Sequence, residues 1–330
     1  MTLPVTIEDI RAAADRIHDI AVRTPLLHCE HLNEIAGADI LIKPECLQVT
    51  GSFKIRGATN RIAQLFGDEI ERGVVAFSSG NHAQGVARAA RLFGSPATIV
   101  MPSDAPDVKV DGVRRNGAEI VYYERERESR EEIAASIAER DGATLIPSYD
   151  DPHIVAGQGT VGLELADQAR RAGKTIDHLI VCTGGGGLIS GSALALKAAF
   201  PRAKAWTAEP EGHEDWARSL EAGHLIANAS GVRSMCDAIL TPEPGRIPFE
   251  IGSQVLSGGL VVTDAQVARA VEFAFRHLKL VVEPGGAVAL ATVLAGLPDH
   301  MKETTVAVVL TGGNVDPTTF ARLVSGATSD

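Results

Sequence analysis

Lys54 stands in Gly51-Ser52-Phe53-Lys54-Ile55-Arg56-Gly57-Ala58, a stretch of small and apolar residues. An ammonium in such surroundings must pair its charge or lose it, because desolvation penalises the unpaired ion. Losing it yields a nucleophilic amine suited to Schiff-base chemistry with a carbonyl compound. A surface lysine at a helix start fits the same eight residues equally well. Four consecutive glycines, Gly184 to Gly187, follow the apolar run His178-Leu179-Ile180-Val181-Cys182. Side-chain-free residues let successive backbone N–H groups converge on a phosphate at a helix N-terminus; a tight, close-packed turn is the competing reading. Two further loops carry polar groups, Ser78-Ser79-Gly80-Asn81-His82 and Thr311-Gly312-Gly313-Asn314. Glu209 and Asp215 offer hard oxygen ligands of the kind Mg²⁺ or Ca²⁺ takes, although loop carboxylates are ordinarily solvated. His28 and His31 flank Cys29, but no further ligands lie close by in sequence.

The elements that must position these residues alternate. Thr6 caps a helix with Ile7, Ile10, Ala14 and Ile17 at helical spacing. Asp39 to Lys43 is a short strand, and the Lys54 helix begins near Ser52. Strand and helix then alternate through Val74–Phe77, Ala97–Met101, Glu119–Tyr123, a charged helix from about Ser129 to Arg140, and Thr144–Ile146. A helix opening at Gly157 and running through Ala172 precedes the strand His178–Cys182, and further strands are expected at Ala205–Glu209 and Val306–Leu310. This pattern predicts an α/β fold of two domains, each with a mainly parallel, doubly wound sheet. Residues 1–76 and 150–330 form the larger unit, and 77–149 form a smaller α/β unit inserted into it.

Composition narrows the class. With 330 residues the chain is long enough for one large or two medium domains. Its net charge of −11, with both signs interspersed, gives no phosphate-backbone footprint for nucleic acid. The four cysteines are far apart and form no Cys-x-x-Cys pair, so neither a disulfide framework nor a structural zinc site is expected. No stretch approaches the ~20 apolar residues of a membrane span, and the N-terminus lacks the pattern of a secretory signal. A cytoplasmic enzyme is the expectation, without an appended regulatory domain.

Taken in order, Ser52–Ala58, Ser78–His82, Gly184–Gly187 and Thr311–Asn314 resemble the motifs of the serine/threonine dehydratase and serine racemase family. These are pyridoxal-phosphate enzymes of fold type II, related to the tryptophan synthase β subunit, and the resemblance covers nearly the whole chain. It implies that Lys54 forms the Schiff base and then removes the substrate α-proton. It implies that Phe53 packs on the cofactor ring, that Asn81 bonds its phenolic oxygen, and that Gly184, Gly185, Gly186 and Gly187 hold its phosphate. Thr311 would face the pyridine nitrogen. A neutral hydroxyl there stabilises a pyridinium less than a carboxylate would, which favours prompt loss of a β-hydroxyl. The resulting enamine would tautomerise and hydrolyse to a 2-oxo acid and ammonia. Ser78, Ser79, Asn81, His82 and neighbouring backbone would receive the substrate carboxylate.

Two features of the resemblance bear on the branch. Ser79 stands where many threonine dehydratases carry alanine; in racemases that serine is the acid/base opposite the lysine. Glu209 and Asp215, with the backbone carbonyl of His213, match a divalent-cation site for Mg²⁺, Mn²⁺ or Ca²⁺. Arg130 aligns with an arginine able to meet a β-carboxylate, while a solvated helix arginine is its ordinary reading. The resemblance thus implies a homodimeric ammonia-lyase for L-threonine or L-serine, with serine racemisation and threo-3-hydroxyaspartate dehydration as neighbouring alternatives. A nucleotide-dependent dehydrogenase is the rival from another class, resting on His178–Cys182, the glycine run and Glu209. It lacks the third glycine, since Gly185-x-Gly187-x-x-Ser190 ends in serine, and it leaves Lys54 unexplained. An amino-acid-binding protein without catalysis would need a silent Lys54.

Overall fold

A computed structural model of the chain describes residues 3–78, 80–105 and 107–326. Its strands are β1 (Leu27–His28), β2 (Asp39–Pro44), β3 (Val74–Phe77), β4 (Ala97–Pro102), β5 (Glu119–Tyr123), β6 (Thr144–Leu145), β7 (His178–Cys182), β8 (Lys204–Pro210), β9 (Leu256–Val262) and β10 (Thr305–Leu310). The helices through the first half are α1 (Ile7–Ile17), α2 (Glu30–Ala36), α3 (Lys54–Ile62), α4 (Asp68–Arg72), α5 (Asn81–Leu92), α6 (Asp107–Arg114) and α7 (Arg130–Asp141). The second half adds α8 (Pro152–Arg171), α9 (Gly187–Ala199), α10 (Asp215–Ala222), α11 (Arg246–Val255), α12 (Asp264–Phe273), α13 (Pro284–Ala295) and α14 (Pro317–Val324).

The strands form two sheets, one in the order β1-β2-β10-β7-β8-β9 and one in the order β5-β4-β3-β6. Every pairing is parallel except β1 with β2. Parallel strands need crossovers and covered faces, which explains apolar runs such as Val306–Leu310, buried on both sides. On the larger sheet, one face packs on a cluster including Val271, Val288 and Leu290, and the other on one including Ile10, Leu165 and Leu196. The smaller sheet is covered likewise, by Val86 and Val113 on one side and Ala134 and Ile137 on the other. The expected doubly wound α/β architecture is therefore present in both sheets.

The boundaries differ in two places. Val74, Val75 and Ala76 pair with β4 in the smaller sheet, so that sheet begins three residues before the expected insertion at 77. The helix expected from Gly157 begins at Pro152, where Asp151 caps it by accepting from the His153 and Ile154 N–H groups. Gly157 lies inside α8 because α3 crosses there: a Cβ on Gly157 would come within 2.6 Å of the Gly57 Cα and 2.8 Å of the Arg56 carbonyl. Close approach outweighs the weak helix propensity of glycine.

Candidate active site

The segment carrying Lys54 is fixed at both ends. Ahead of it, Ser52 bridges Gly312 and the Phe53 N–H donates to the Thr311 carbonyl at 3.2 Å, tying the chain to the end of β10. Behind it, fully buried Arg56 donates to Glu45 at 2.7 Å and to Glu164 at 2.7 Å, and buried Lys43 donates to Glu164 at 2.7 Å. A buried charge cluster of this kind is tolerable only when each ion is paired, and here each is. Lys54 then opens α3, and its Nζ donates to the Ser148 carbonyl at 2.9 Å. The side chain is partly accessible, but to an internal cavity; desolvation lowers its pKa from 10.5 to about 8. Of the two readings of Lys54, the surface one does not hold.

Two adjoining cavities meet at Lys54 and Asn81. The larger, about 300 Å³, is walled by Ser78, His82, Lys109, Arg130 and Tyr149. The smaller, about 80 Å³, is walled by Phe53, Thr311 and the four glycines Gly184, Gly185, Gly186 and Gly187. Sequence positions 53 to 311 therefore converge on cavities lined by residues from the units of both sheets. At α9 the N-cap is Gly186, in the left-handed region at φ 90°, with no side-chain cap, so the first N–H groups of the helix are left for a ligand. The first two positions are closed to a side chain: a Cβ on Gly184 would meet the Ile239 carbonyl at 2.8 Å, and one on Gly185 would enter the Tyr149 ring. This cradle fits a phosphate, and the amine beside it fits an aldehyde.

Asn81 opens α5 with both ends of its amide held. Its Oδ1 accepts from Asn314 Nδ2 at 2.7 Å, and its Nδ2 donates to Glu283. An amide nitrogen carries two protons, so one remains for an acceptor in the cavity. Glu283 is 1% exposed, and burial raises its pKa from 4.5 to about 7, opposed by Lys109 and reinforced by Asp237. Asn314 closes a motif visible in the sequence but has no role assigned there, and Glu283, the N-cap of α13 just before Pro284, has none either; its only sequence signal is an acid directly ahead of Pro-Gly-Gly. For Tyr149, packed on the glycines, and for the Lys109–Asp237 ion pair linking α6 to residue 237, no sequence signal existed.

Other anticipated residues fall as follows. His82 is buried and donates from Nε2 to the Ile146 carbonyl at 2.8 Å; burial and the Lys54 charge depress its pKa to about 3. It is therefore a neutral ring turned to backbone, which leaves its main-chain N–H at the helix start as the group it could offer an anion. Ser78 Oγ accepts from the Gly80 N–H at 3.1 Å. Ser79 lies outside the described residues. Arg130 lies over the Phe77 ring, 5.4 Å from its centroid, and pairs with Glu131 at 2.8 Å, so it is not a freely solvated arginine.

Glu209 and Asp215 are 0% and 1% exposed, which removes the reading of solvated loop carboxylates. Glu209 accepts from the Trp216 and Ala217 N–H groups and from Thr207. Asp215 accepts from Asn228 through Oδ1, while its buried Oδ2 has no partner among the described residues. The His213 ring bonds the Val232 carbonyl at 3.2 Å. No three His, Cys, Asp or Glu side chains converge on one point among the described residues, so any cation here would need main-chain or water oxygens beside the two carboxylates.

Comparison with known proteins adds to this geometry. Residues 17–312 match the model of a family described as "Pyridoxal-phosphate dependent enzyme". The chain is 43% identical over 320 residues to an L-threo-3-hydroxyaspartate ammonia-lyase from Pseudomonas sp, covering 96% of this chain and 98% of the relative. It is 39% identical over 321 residues to an L-threonine ammonia-lyase of Thermotoga maritima, covering 97% and 78%. A solved structure of maize serine racemase superposes with a TM-score of 0.90 at 36% identity, covering 98% of each chain.

Proposed function

Since the chain belongs to the pyridoxal-phosphate dependent enzyme family, we propose that it is an ammonia-lyase for β-hydroxy amino acids whose preferred substrate carries a second carboxylate, as threo-3-hydroxyaspartate does. The observation that carries the preference is Arg130, a cation in the wall of the same cavity as Lys54. The relative named for hydroxyaspartate supports it.

Bound pyridoxal phosphate supplies an electron sink that acidifies the substrate α-carbon. The protein does the rest. Gly184 to Gly187 would hold the phosphate, and Phe53, Thr311 and the spare Nδ2 proton of Asn81, in the wall of the same cavity, would hold the rest of the cofactor. The N–H groups at the start of α5 receive the substrate α-carboxylate, and Arg130 receives the β-carboxylate. Lys54, neutral above about pH 8, accepts the α-proton. The β-hydroxyl gains a proton and leaves as water; the released enamine tautomerises to an imine, which water hydrolyses to a 2-oxo acid and ammonia. L-Threonine and L-serine form the second reading, favoured by the Glu131 partner that already balances the Arg130 charge. Ser79 carries the racemase alternative: Ser79→Ala should reduce racemisation far more than dehydration, and equal losses would reject that role.

The unpartnered Asp215 Oδ2 beside Glu209 supports a divalent cation at this pair. A homodimer is supported by the exposed Leu47, Val49 and Val281, on segments that meet near Gly313; sedimentation equilibrium reads it. A cytoplasmic setting is supported by four free thiols, and fractionation tests it.

The test combines absorbance with substrate comparison. Purified protein should carry a visible band that Lys54→Ala abolishes. Oxo-acid release should be faster from L-threo-3-hydroxyaspartate than from L-threonine. Arg130→Ala should lower kcat/KM for the dicarboxylate by about 10–100-fold, the loss of one charge-assisted contact, while sparing L-threonine. Equal effects on both substrates would reject the preference; a colourless protein would reject the lyase.

A further inference from the structure

Trp216 is one of two tryptophans in the chain and is wholly buried. It is the second residue of α10, whose N-terminus Glu209 grips by accepting from the Trp216 and Ala217 N–H groups at 2.8 and 3.0 Å. Its indole reaches the glycine loop from the side away from the small cavity, whose wall includes the glycines but not Trp216. There the indole Nε1 donates to the Gly184 carbonyl at 2.7 Å, and the ring edge occupies the space a Gly186 side chain would need. The next carbonyl, of Gly185, accepts from the Gly245 N–H at 3.0 Å.

A trans peptide holds its C=O and the following N–H on opposite sides of the chain. Pinning the Gly184 carbonyl to Trp216 therefore turns the Gly185 N–H the other way, toward the cavity. Pinning the Gly185 carbonyl to Gly245 does the same for the Gly186 N–H. Without these anchors the glycines, free at both dihedrals, would lose the fixed convergence of donors that an anion site requires.

We propose that Trp216 is a positioning residue for the phosphate group of the cofactor: its indole N–H holds the glycine loop in its anion-binding conformation. The inference rests on the proposed function, which assigns the phosphate to Gly184–Gly187. Trp216 touches neither cofactor nor substrate in this scheme and acts through Gly184.

Trp216→Phe keeps most of the ring and removes the donor. After the cofactor is resolved from the full chain, binding of pyridoxal 5′-phosphate and of pyridoxal is titrated by the visible band. The variant should weaken pyridoxal 5′-phosphate about tenfold, in line with one net hydrogen bond, and leave pyridoxal unchanged. Parallel weakening of both, as from general damage to the fold, or no weakening of either, would overturn the proposal. Should Trp216→Phe not fold, Trp206→Phe leaves Trp216 as the sole indole; saturating inorganic phosphate should then shift its emission in the cofactor-free protein, and unchanged emission overturns the proposal. A wild-type protein that forms no band with either aldehyde removes the proposed function and this inference with it, whereas a coloured wild type with an unaffected Trp216→Phe removes the inference alone.

Discussion

Lys54 and Glu283 are ionisable groups moved toward neutral pH by the same cause, burial, from opposite directions. For Lys54 the charged form is the disfavoured one, so the free amine becomes the main species above about pH 8 instead of 10.5. Uptake of pyridoxal phosphate by the cofactor-free protein should accelerate as pH rises from 7 to 9 and then level off, with stopped-flow absorbance as the measurement. A rate still climbing steeply beyond pH 10 would mean an unperturbed lysine. For Glu283 the carboxyl keeps its proton in the folded state up to about pH 7, while the unfolded chain releases it near 4.5. The folded state thus holds the extra proton between those values, and this contribution to stability is lost as pH rises through 7. Glu283→Gln, which cannot ionise, should remove that loss, on the order of 3 kcal/mol across the window. The groups facing Glu283 are Asn81 on α5, Lys109 on α6, Asp237, and Cys46 across the loop. Denaturant unfolding at pH 5 and pH 8 decides it; identical pH dependence in variant and wild type would place the titration elsewhere.

At the scale of elements, α3, α8 and α9 act as one packed block behind the site. Gly57 and Gly157 let α3 and α8 touch through backbone, and Gly159 lets α8 approach the Gly191 carbonyl of α9 at 3.0 Å from any Cβ. Because α3 begins at Lys54 and α9 begins at Gly187, this packing sets the distance between amine and phosphate cradle. Gly157→Ala places a methyl where backbone already lies, so overpacking should destabilise the protein by about 1–3 kcal/mol. Calorimetry reads the shift. An unchanged melting temperature would show that the helices can part, and cofactor affinity should then change instead.

For the whole molecule, the active cavity exists only because loops and helix starts belonging to both sheets close around it. Lys109 on α6 pairs with Asp237 from the larger unit at the cavity wall. The acid pair Glu209–Asp215 lies on the larger unit, where Glu209 caps the α10 that Asp215 opens. If it binds a divalent cation, chelation should lower the melting temperature and Mg²⁺ or Ca²⁺ should restore it; saturation a hundredfold above the dissociation constant corresponds to about 2.7 kcal/mol. No change on chelation would count against a bound cation.

The sequence by itself determined much of this protein: the alternation of strands and helices, the parallel sheets, the glycine loop and the special standing of Lys54 all follow from local composition and order. Val- and Ile-rich runs of four to six residues, each followed within a few residues by glycine, proline or serine and then a helical pattern, fit buried parallel strands. Tertiary structure alone decided the surroundings that give those residues their properties. Burial of Glu209 and Asp215, the neutral His82 turned to Ile146, the clamp of Glu283 and Asn314 on Asn81, and the indole of Trp216 behind Gly184 all join residues far apart in the chain. Their spacing carries no period that could announce a contact, because desolvation and hydrogen bonding depend on what the fold brings near. Lys54 illustrates the division: its own eight residues fit a reactive and a surface lysine equally well, the order of the four motifs singled it out, and its lowered pKa required the cavity.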